Sequence, residues 1–146
     1  EEVLIQKLYE ASQAGVEIKL LVRSICRLRP GVPGLSENIC VTRIVDRYLE
    51  HGRIFIFHHG GEEVMFLGSS DWMERNIYRR IEVCFPIYDA QLKRQIKHLI
   101  DLQLKDDLAA VQLDQDAQNV TLPSKTTRCQ EKIAAIVHTA FTDFTS

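Results

Sequence analysis

The chain begins with a helical spacing of apolar residues, at Val3, Leu4, Leu8 and Ala11. This pattern predicts a first helix over residues 1–14 that ends at Gly15. Residues 16–23 are mostly apolar and predict a strand that becomes fully buried and ends at Arg23. Because a helix, a tight turn and an apolar strand make one α/β unit, we expect an α/β fold.

The middle of the chain alternates short apolar runs with polar turns. The pattern predicts a loop at 29–38, a strand at 39–45, a turn or short helical piece at 46–50, a strand at 53–57, a hairpin turn at 58–62, a return strand at 63–68, a polar connection with a short helix at 69–76, and a strand at 79–86. Strands of this kind, joined to helices, favour a mixed sheet flanked by helices.

The last third begins with a strong helix signal and then weakens. Asp89 is a favourable N-cap for an amphipathic helix that runs to about Leu104. Residues 106–120 are acidic and polar, and their pattern assigns no clear element before a short strand at 119–122. A final helix is predicted over 126–144.

Composition adds one local feature to this picture. The 146 residues suffice for one domain, and a net charge of −2 excludes a polyanion-binding protein that acts by bulk charge. Yet the window from Arg23 to Arg80, both included, contains nine arginines and no lysine. Arginine binds phosphate or carboxylate with a planar fork, so this window is a candidate phosphate site. Salt bridges to the seven acids of the same window are the alternative.

The four cysteines, the apolar runs and the first residue bear on where the chain works. The cysteines are too far apart for a CxxC pair, which favours buried, reduced thiols in a cytoplasmic protein and argues against zinc. No apolar stretch approaches the ~20 residues that span a bilayer, and we expect no signal peptide. The chain starts without Met in mid-helix, so we expect it to be a piece of a longer protein.

A histidine and an arginine two residues later, His51 and Arg53, precede one predicted strand. A Gly-Ser-Ser-Asp turn at 68–71 follows the next, and Glu82 lies in the strand after that. This order resembles the catalytic half-motif of the phospholipase D superfamily, with Arg53 for the usual lysine and Asp71 for the usual asparagine. Such sites are built from two half-motifs, and the chain carries one.

Four runs resemble a narrower family. The runs LVRSICRLRPGVPGLSENICV, IVDRYLEHGRIFIF, SSDWMERNIYRRIEVCFPI and LIDLQLKDD are similar to the C-terminal domain of polyphosphate kinase, in order over residues 1–113. The resemblance implies a phospholipase D-like α/β domain over 1–113. Residues 114–146 are then a variable, helical tail.

The resemblance also implies a function. Polyphosphate kinases reversibly transfer the γ-phosphate of ATP to inorganic polyphosphate through a phosphohistidine, which would lie in an upstream domain that is absent here. This chain would supply the ATP and phosphate contacts, Arg23 and His51, with His51 also catalytic as proton donor or phosphate ligand. Ser69, Asp71, Glu82 and Arg53 are candidate supporting residues.

The same resemblance sets expectations for partners and cofactors. The isolated chain is expected to be inactive and to need upstream domains of the same enzyme, in a homo-oligomer. Mg²⁺ would act in the full enzyme, with no metal site in this chain and no nucleic acid as partner. The expected location is cytoplasmic, with membrane association of the full enzyme left open.

Individual side chains carry further expectations. The loop from Gly31 to Gly34 could present backbone N–H groups to anions. Glu82 could orient His51, with the 69–71 turn beneath it. Trp72 could stack on adenine, although a core position is more usual for tryptophan. His58 and His59 are expected in a solvated turn, and His98 and His138 are expected on helix faces.

Two other functions stay open on the residues alone. One is a phospholipase D-type phosphodiesterase in which a homodimer supplies the two histidines. The other is a non-catalytic docking domain that binds no nucleotide.

Overall fold

The computed structural model describes residues 1–123 and 125–142 as a mixed α/β fold with two sheets. The elements in chain order are α1 (Glu2–Gln13), β1 (Ile18–Leu21), β2 (Ile39–Ile44), β3 (Ile54–Phe57), a 3₁₀ turn (His59–Gly61), β4 (Val64–Gly68), α2 (Glu74–Arg79), β5 (Cys84–Pro86), α3 (Ala90–Leu104), β6 (Ala110–Leu113), β7 (Asn119–Thr121) and α4 (Cys129–Thr142). The α/β class with helices flanking β-sheet is confirmed, although the strands divide between two sheets.

The larger sheet has the order β1-β2-β6-β7 and carries core residues on both faces. Strands β1 and β2 run parallel, and the other pairs are antiparallel. Successive side chains of a strand point to opposite faces, which separates the core into two clusters. The buried residues of one cluster are Leu28, Ile39, Val41 and Leu113, against which α1 packs Ile5, Leu8 and Tyr9. Those of the other are Ile44, Ala110 and Cys129, with Leu102 of α3 and Ile133 of α4 packed on them.

The smaller sheet is the antiparallel meander β3-β4-β5. Its first turn is the predicted hairpin, which Gly60 and Gly61 close with φ of +68° and +103°. Gly68 ends β4 where an added Cβ would lie 3.2 Å from the Phe55 ring, so a larger residue would disturb this strand pair. The antiparallel pairing of β3 with β4 across this turn confirms the predicted hairpin.

Two predicted strands differ from the structure. Strand β1 ends at Leu21, two residues before Arg23, and its apolar residues are only half-buried. The predicted strand at 79–86 is wrong in its first part, because Arg79 ends α2 and strand β5 spans only Cys84–Pro86. Ile81 is fully exposed, so its apolar character marked no buried strand.

The weakly patterned region contains β6, which the sequence pattern missed. Only Ala110 and Leu113 of this strand are buried, and the acidic residues before it hide so short an apolar signal. The predicted short strand at 119–122 is confirmed as β7, which pairs with β6. The last helix begins at Cys129, and its predicted end at 144 lies outside the described residues. The domain boundary at residue 113 stays a prediction.

The cysteines are all free, but the prediction that they are buried is wrong for most of them. Cys129 is buried, Cys26 is partly exposed, and Cys40 and Cys84 are exposed. Both exposed cysteines lie on strands, where successive residues alternate between faces, so an apolar neighbourhood in sequence does not bury every member. Over the described residues, no helix is both long and apolar enough to cross a bilayer.

Candidate active site

The parallel pairing of β1 and β2 brings two distant segments to one edge of the larger sheet. Val22 continues the ladder past β1, since its N–H donates to the Thr42 carbonyl at 2.9 Å. Arg23 follows directly, and residues 46–51 leave the same end of β2. Parallel strands place their carboxyl ends side by side, where α/β proteins bind ligands.

Four side chains meet beyond this edge. Arg53 Nη2 lies 3.1 Å from Asp71 Oδ1, and Arg23 Nη2 lies 3.6 Å from Asp71 Oδ2. The other contact of Arg53 is with His51, whose Nδ1 is 2.8 Å from Nη1 and whose Nε2 is 3.0 Å from Nη2. The two nitrogens of an imidazole point away from each other, so the fork of Arg53 cannot donate along both lone pairs at once. The close approach is therefore partly a contact between the two flat groups.

The charges of this group favour an anionic ligand. Two guanidinium groups share one carboxylate, which leaves one positive charge uncompensated when His51 is neutral. The side chains of Arg53 and Arg23 are 16% and 28% exposed, whereas that of Asp71 is 37% exposed. Partial burial weakens screening by solvent, so Arg23 and Arg53 attract a phosphate more strongly than fully exposed arginines would. His51 is exposed and open to a ligand.

Hydrogen bonds fix the turn that carries Asp71. The Asp71 carbonyl accepts from Ser70 Oγ at 2.9 Å and from Asn76 Nδ2 at 3.2 Å. Asn76 is buried at the start of α2. On the strand side, the Gly68 N–H donates to the Arg53 carbonyl at 2.8 Å. The turn and the start of β3 are therefore tied together, which sets Asp71 beside Arg53.

Ser69 and Glu82 form a separate pair one step away. The Ser69 hydroxyl donates to Glu82 Oε2 and accepts from the Val83 N–H at 3.0 Å. The Ser69 N–H also donates to the Val83 carbonyl at 2.9 Å, so Ser69 extends the pairing of β4 with β5. The structure thus places Glu82 on Ser69, while Arg53 is the residue that contacts His51. The expectation that Glu82 orients His51 is therefore wrong, because Glu82 is bound to Ser69 and Arg53 contacts His51.

Trp72 is partly exposed, and a neighbouring aromatic ring covers one face of its side chain. Its ring stacks on Phe55 with centroids 5.2 Å apart and planes 7° from parallel, and the residue is 38% exposed. The pair lines an open groove of about 280 Å³, together with Leu4, Ile77 and Val83. One face of Trp72 is thus occupied by Phe55, and contact with adenine stays a prediction.

Residues 31–34 of the loop after β1 do not present free backbone donors, so the expected anion nest at Gly31 to Gly34 is wrong. Ser36, which is fully buried, accepts the Gly31 N–H on its carbonyl at 2.9 Å and the Val32 N–H on its hydroxyl at 3.1 Å. The Gly34 N–H points to Glu37 Oε2 at 3.4 Å, and Pro33 has no N–H. The glycines instead supply the positive φ that lets this loop fold on itself.

The other predicted histidines lie apart from this group. His58 and His59 are exposed at the hairpin, and His98 and His138 are exposed on α3 and α4. The predicted solvated turn at His58 and His59 and the predicted helix positions of His98 and His138 are confirmed.

Sequence reasoning missed the support of residues 46–50. This segment, which leads into His51, is bound by Arg128, the residue just before α4, through a bidentate ion pair with Asp46, with Nε–Oδ2 at 2.9 Å and Nη2–Oδ1 at 2.5 Å. The hydrogen bonds from Arg128 lower the pKa of Asp46. Gln130 binds the same segment. An acidic residue followed about 80 positions later by an arginine gives no signal in a single sequence.

The comparisons with known proteins decide the family. The family described as "Polyphosphate kinase C-terminal domain 2" matches residues 1–134. The chain belongs to the polyphosphate kinase family. A polyphosphate kinase from Bacillus anthracis is 51% identical over 116 residues, which are 80% of this chain and 16% of that protein. One from Exiguobacterium sibiricum is 45% identical over 139 residues, 95% of this chain and 19% of that protein.

A solved structure agrees with the family assignment. The crystal structure of polyphosphate kinase from Porphyromonas gingivalis superposes with a TM-score of 0.90 at 44% identity, over 96% of this chain and 22% of that one. The expected polyphosphate kinase resemblance and its fold are confirmed. The chain spans about one-fifth of the length of these relatives.

Proposed function

We propose that this chain supplies ATP and phosphate contacts to a polyphosphate kinase that reversibly transfers the γ-phosphate of ATP to inorganic polyphosphate. One observation carries the proposal. At the carboxyl ends of two parallel strands, Arg23 and Arg53 both contact Asp71, and Arg53 also contacts His51. These segments lie far apart in sequence, and their meeting builds a partly buried, positively charged surface. Membership of the family gives that surface its substrate class.

The chemistry needs little from the protein beyond position and charge. In phosphoryl transfer the catalyst orients the phosphates and neutralises the charge on their oxygens. Arg23 would bind phosphate oxygens through the nitrogens that Asp71 leaves free. His51, exposed beside Arg53, would donate a proton or a hydrogen bond to a phosphate oxygen. The phosphohistidine that relays the phosphoryl group would come from a domain outside this chain.

The residues described here do not fit a Mg²⁺ site. Magnesium in kinase sites is bound by carboxylates and substrate phosphates. Asp71, the acid of this group, is bound by two guanidinium groups, and positions 1–123 and 125–142 hold no cluster of three or more metal-binding side chains.

Substitution of His51 tests the proposal. His51→Ala in the full-length enzyme that carries this chain should abolish ATP-dependent polyphosphate synthesis and the reverse reaction. His98→Ala is the matched control, because His98 is an exposed histidine on α3 and should leave both rates unchanged. Normal transfer by His51→Ala would refute the assignment of His51.

The isolated chain separates this function from the two alternatives. We expect no turnover of ATP or polyphosphate by the chain alone. Hydrolysis of a phosphodiester such as bis(p-nitrophenyl) phosphate would instead favour a phosphodiesterase. If the full-length enzyme binds ATP with the same heat before and after an Arg23→Ala and His51→Ala double substitution, the chain is a docking domain only.

A further inference from the structure

Gln130, on α4, binds the backbone just before His51. It is 5% exposed, and its amide groups are all engaged. Oε1 accepts from the Tyr48 N–H at 2.9 Å, while Nε2 donates to the Tyr48 carbonyl at 2.8 Å and to Glu50 Oε1 at 2.7 Å. One side chain thus pairs with both backbone groups of Tyr48, as a neighbouring strand would.

Glu50, the residue next to His51, is bound from a second helix as well. Its Oε2 accepts from Gln103 Nε2 of α3 at 2.6 Å. Both oxygens of this carboxylate are therefore fixed, one by α3 and one by α4. The last residue before His51 has little freedom to move without breaking one of these hydrogen bonds.

The start of α4 is itself firmly placed. Asp106, which is 1% exposed, accepts the Cys129 N–H on Oδ2 at 2.7 Å. Its Oδ1 accepts three backbone N–H groups between α3 and β6, from Leu108, Ala109 and Ala110. Gln130 directly follows Cys129, so its position is set by a buried carboxylate.

The segment has little apolar packing that could replace these polar contacts. Tyr48 is 60% exposed and Leu49 is 76% exposed. Hydrophobic burial, which positions most of a fold, contributes little here. The hydrogen bonds from Gln130 and Gln103, with the ion pair of Arg128, are what define the path of the chain into His51.

We propose that Gln130 is a positioning residue for His51 and acts through Tyr48 and Glu50. The inference rests on the proposed function, because it takes His51 as the working residue. It makes the last helix, beyond the segment that resembles the family by its motifs, part of the active-site support. The expected consequence is on the rate of transfer, with a much smaller effect on global folding.

The first experiment compares Gln130→Leu and Gln130→Glu with Gln95→Leu and Gln95→Glu in the full-length enzyme. Gln95 is an exposed glutamine on α3 and serves as the matched control. Displacement of a catalytic group by about 1 Å can cost ~100-fold in rate, so we expect kcat to fall by about 10- to 100-fold for the Gln130 variants. KM for ATP should change less, and the controls should match the wild type. A wild-type kcat for Gln130→Leu would overturn the proposal.

A compensating pair tests the contact itself. Gln130→Glu places a carboxylate against Glu50, and adding Glu50→Gln restores one donor and one acceptor across this contact. The double variant should regain part of the kcat that Gln130→Glu loses. No recovery would count against action through Glu50. If Gln130→Leu does not fold, kcat of Glu50→Gln alone can be compared with that of the wild type. Glu50 is partly exposed, so this variant should keep the fold. Its loss of one acceptor should lower kcat.

A double-mutant cycle with His51→Asn separates positioning from a general structural role. If Gln130 acts through His51, Gln130→Leu should cause little further loss of residual activity in the His51→Asn enzyme. Equal fold losses in both backgrounds would indicate a structural role and overturn the inference. Failure of the proposed function looks different, because His51→Asn would then transfer phosphate normally.

Discussion

Asp71 contacts Arg53 at 3.1 Å between Oδ1 and Nη2, although Arg53 precedes the β3–β4 hairpin and Asp71 follows it. The other Asp71 oxygen faces Arg23 at 3.6 Å. One carboxylate therefore sets the spacing of two arginines and, through Arg53, the surroundings of His51. The role of Asp71 in this arrangement is organisation of cations, which an uncharged side chain would perform less well.

Asp71→Ala should lower the activity of the full-length enzyme by about 10-fold or more, because both guanidinium groups lose their common partner. Asp71→Asn keeps one acceptor oxygen and should lose less. The pair with Arg53 is partly exposed, and such pairs contribute about 0–1 kcal/mol to folding, so the urea midpoint should hardly change. Steady-state kinetics and urea unfolding of the same samples check this. A large drop in stability with unchanged kcat per folded enzyme would contradict it.

Arg23→Ala should weaken ATP binding by about 10-fold or more, since a charge-assisted hydrogen bond contributes ~1.5–3 kcal/mol. Arg23→Lys should restore only part of the affinity, because lysine keeps the charge but lacks the planar fork. Arg94→Ala is the control, an exposed arginine on α3. Calorimetric titration of the full-length enzyme with ATP measures all three. Full recovery with lysine would show that charge alone is used.

The sequence predicted the local elements better than the contacts between them. Periodicity and capping were enough for α1, α3 and the β3–β4 hairpin, because these patterns arise within short windows. The missed strand β6 depends on pairing with β2, which lies more than 60 residues earlier, and no local signal encodes that pairing. The first part of the predicted strand at 79–86 failed for the same reason: Ile81 has strand propensity, but no tertiary partner covers it.

The candidate site shows the same division. The resemblance to polyphosphate kinase singled out Arg23 and His51, and the order of the half-motif grouped Arg53 with Asp71. The expectation that Glu82 contacts His51 was wrong, because three-dimensional packing decides which side chains of a loop meet. The ties from Gln130 and Arg128 to residues 46–50 span about 80 residues and were beyond any motif.

Asp106→Asn should destabilise the protein by about 1–3 kcal/mol, the usual cost of leaving a buried hydrogen-bonding group unpaired. Asparagine can still accept on one oxygen, but its NH₂ would then face a backbone N–H. Asp116→Asn, an exposed acid, is the control. Urea unfolding at neutral pH measures the difference. Equal urea midpoints for the wild type and Asp106→Asn would contradict the prediction that the buried Asp106 carboxylate stabilises the fold.

The same residue predicts a pH dependence. Burial alone raises the pKa of Asp106, but the backbone N–H groups of Cys129, Ala109 and Ala110 outweigh it, and the pKa lies below its ordinary value of 3.8. A carboxyl with a lowered pKa stabilises the fold above its ordinary pKa, and this contribution is lost as the pH falls through the folded value. The stability gap between wild type and Asp106→Asn should therefore narrow on acidification below about pH 4. A gap that widens instead would contradict this sign.

Cys129 should resist alkylation in the folded protein. Burial, together with the neighbouring Asp106 carboxylate, raises the pKa of its thiol to about 12, and only the thiolate reacts with iodoacetamide. Cys40 and Cys84 are exposed and should be modified first at pH 8. Mass spectrometry of peptides from native and urea-treated samples measures the order. Asp106→Asn removes the charge beside the sulfur and loosens the start of α4. Modification of Cys129 should therefore become faster in that variant. An unchanged rate would argue that burial alone protects the thiol.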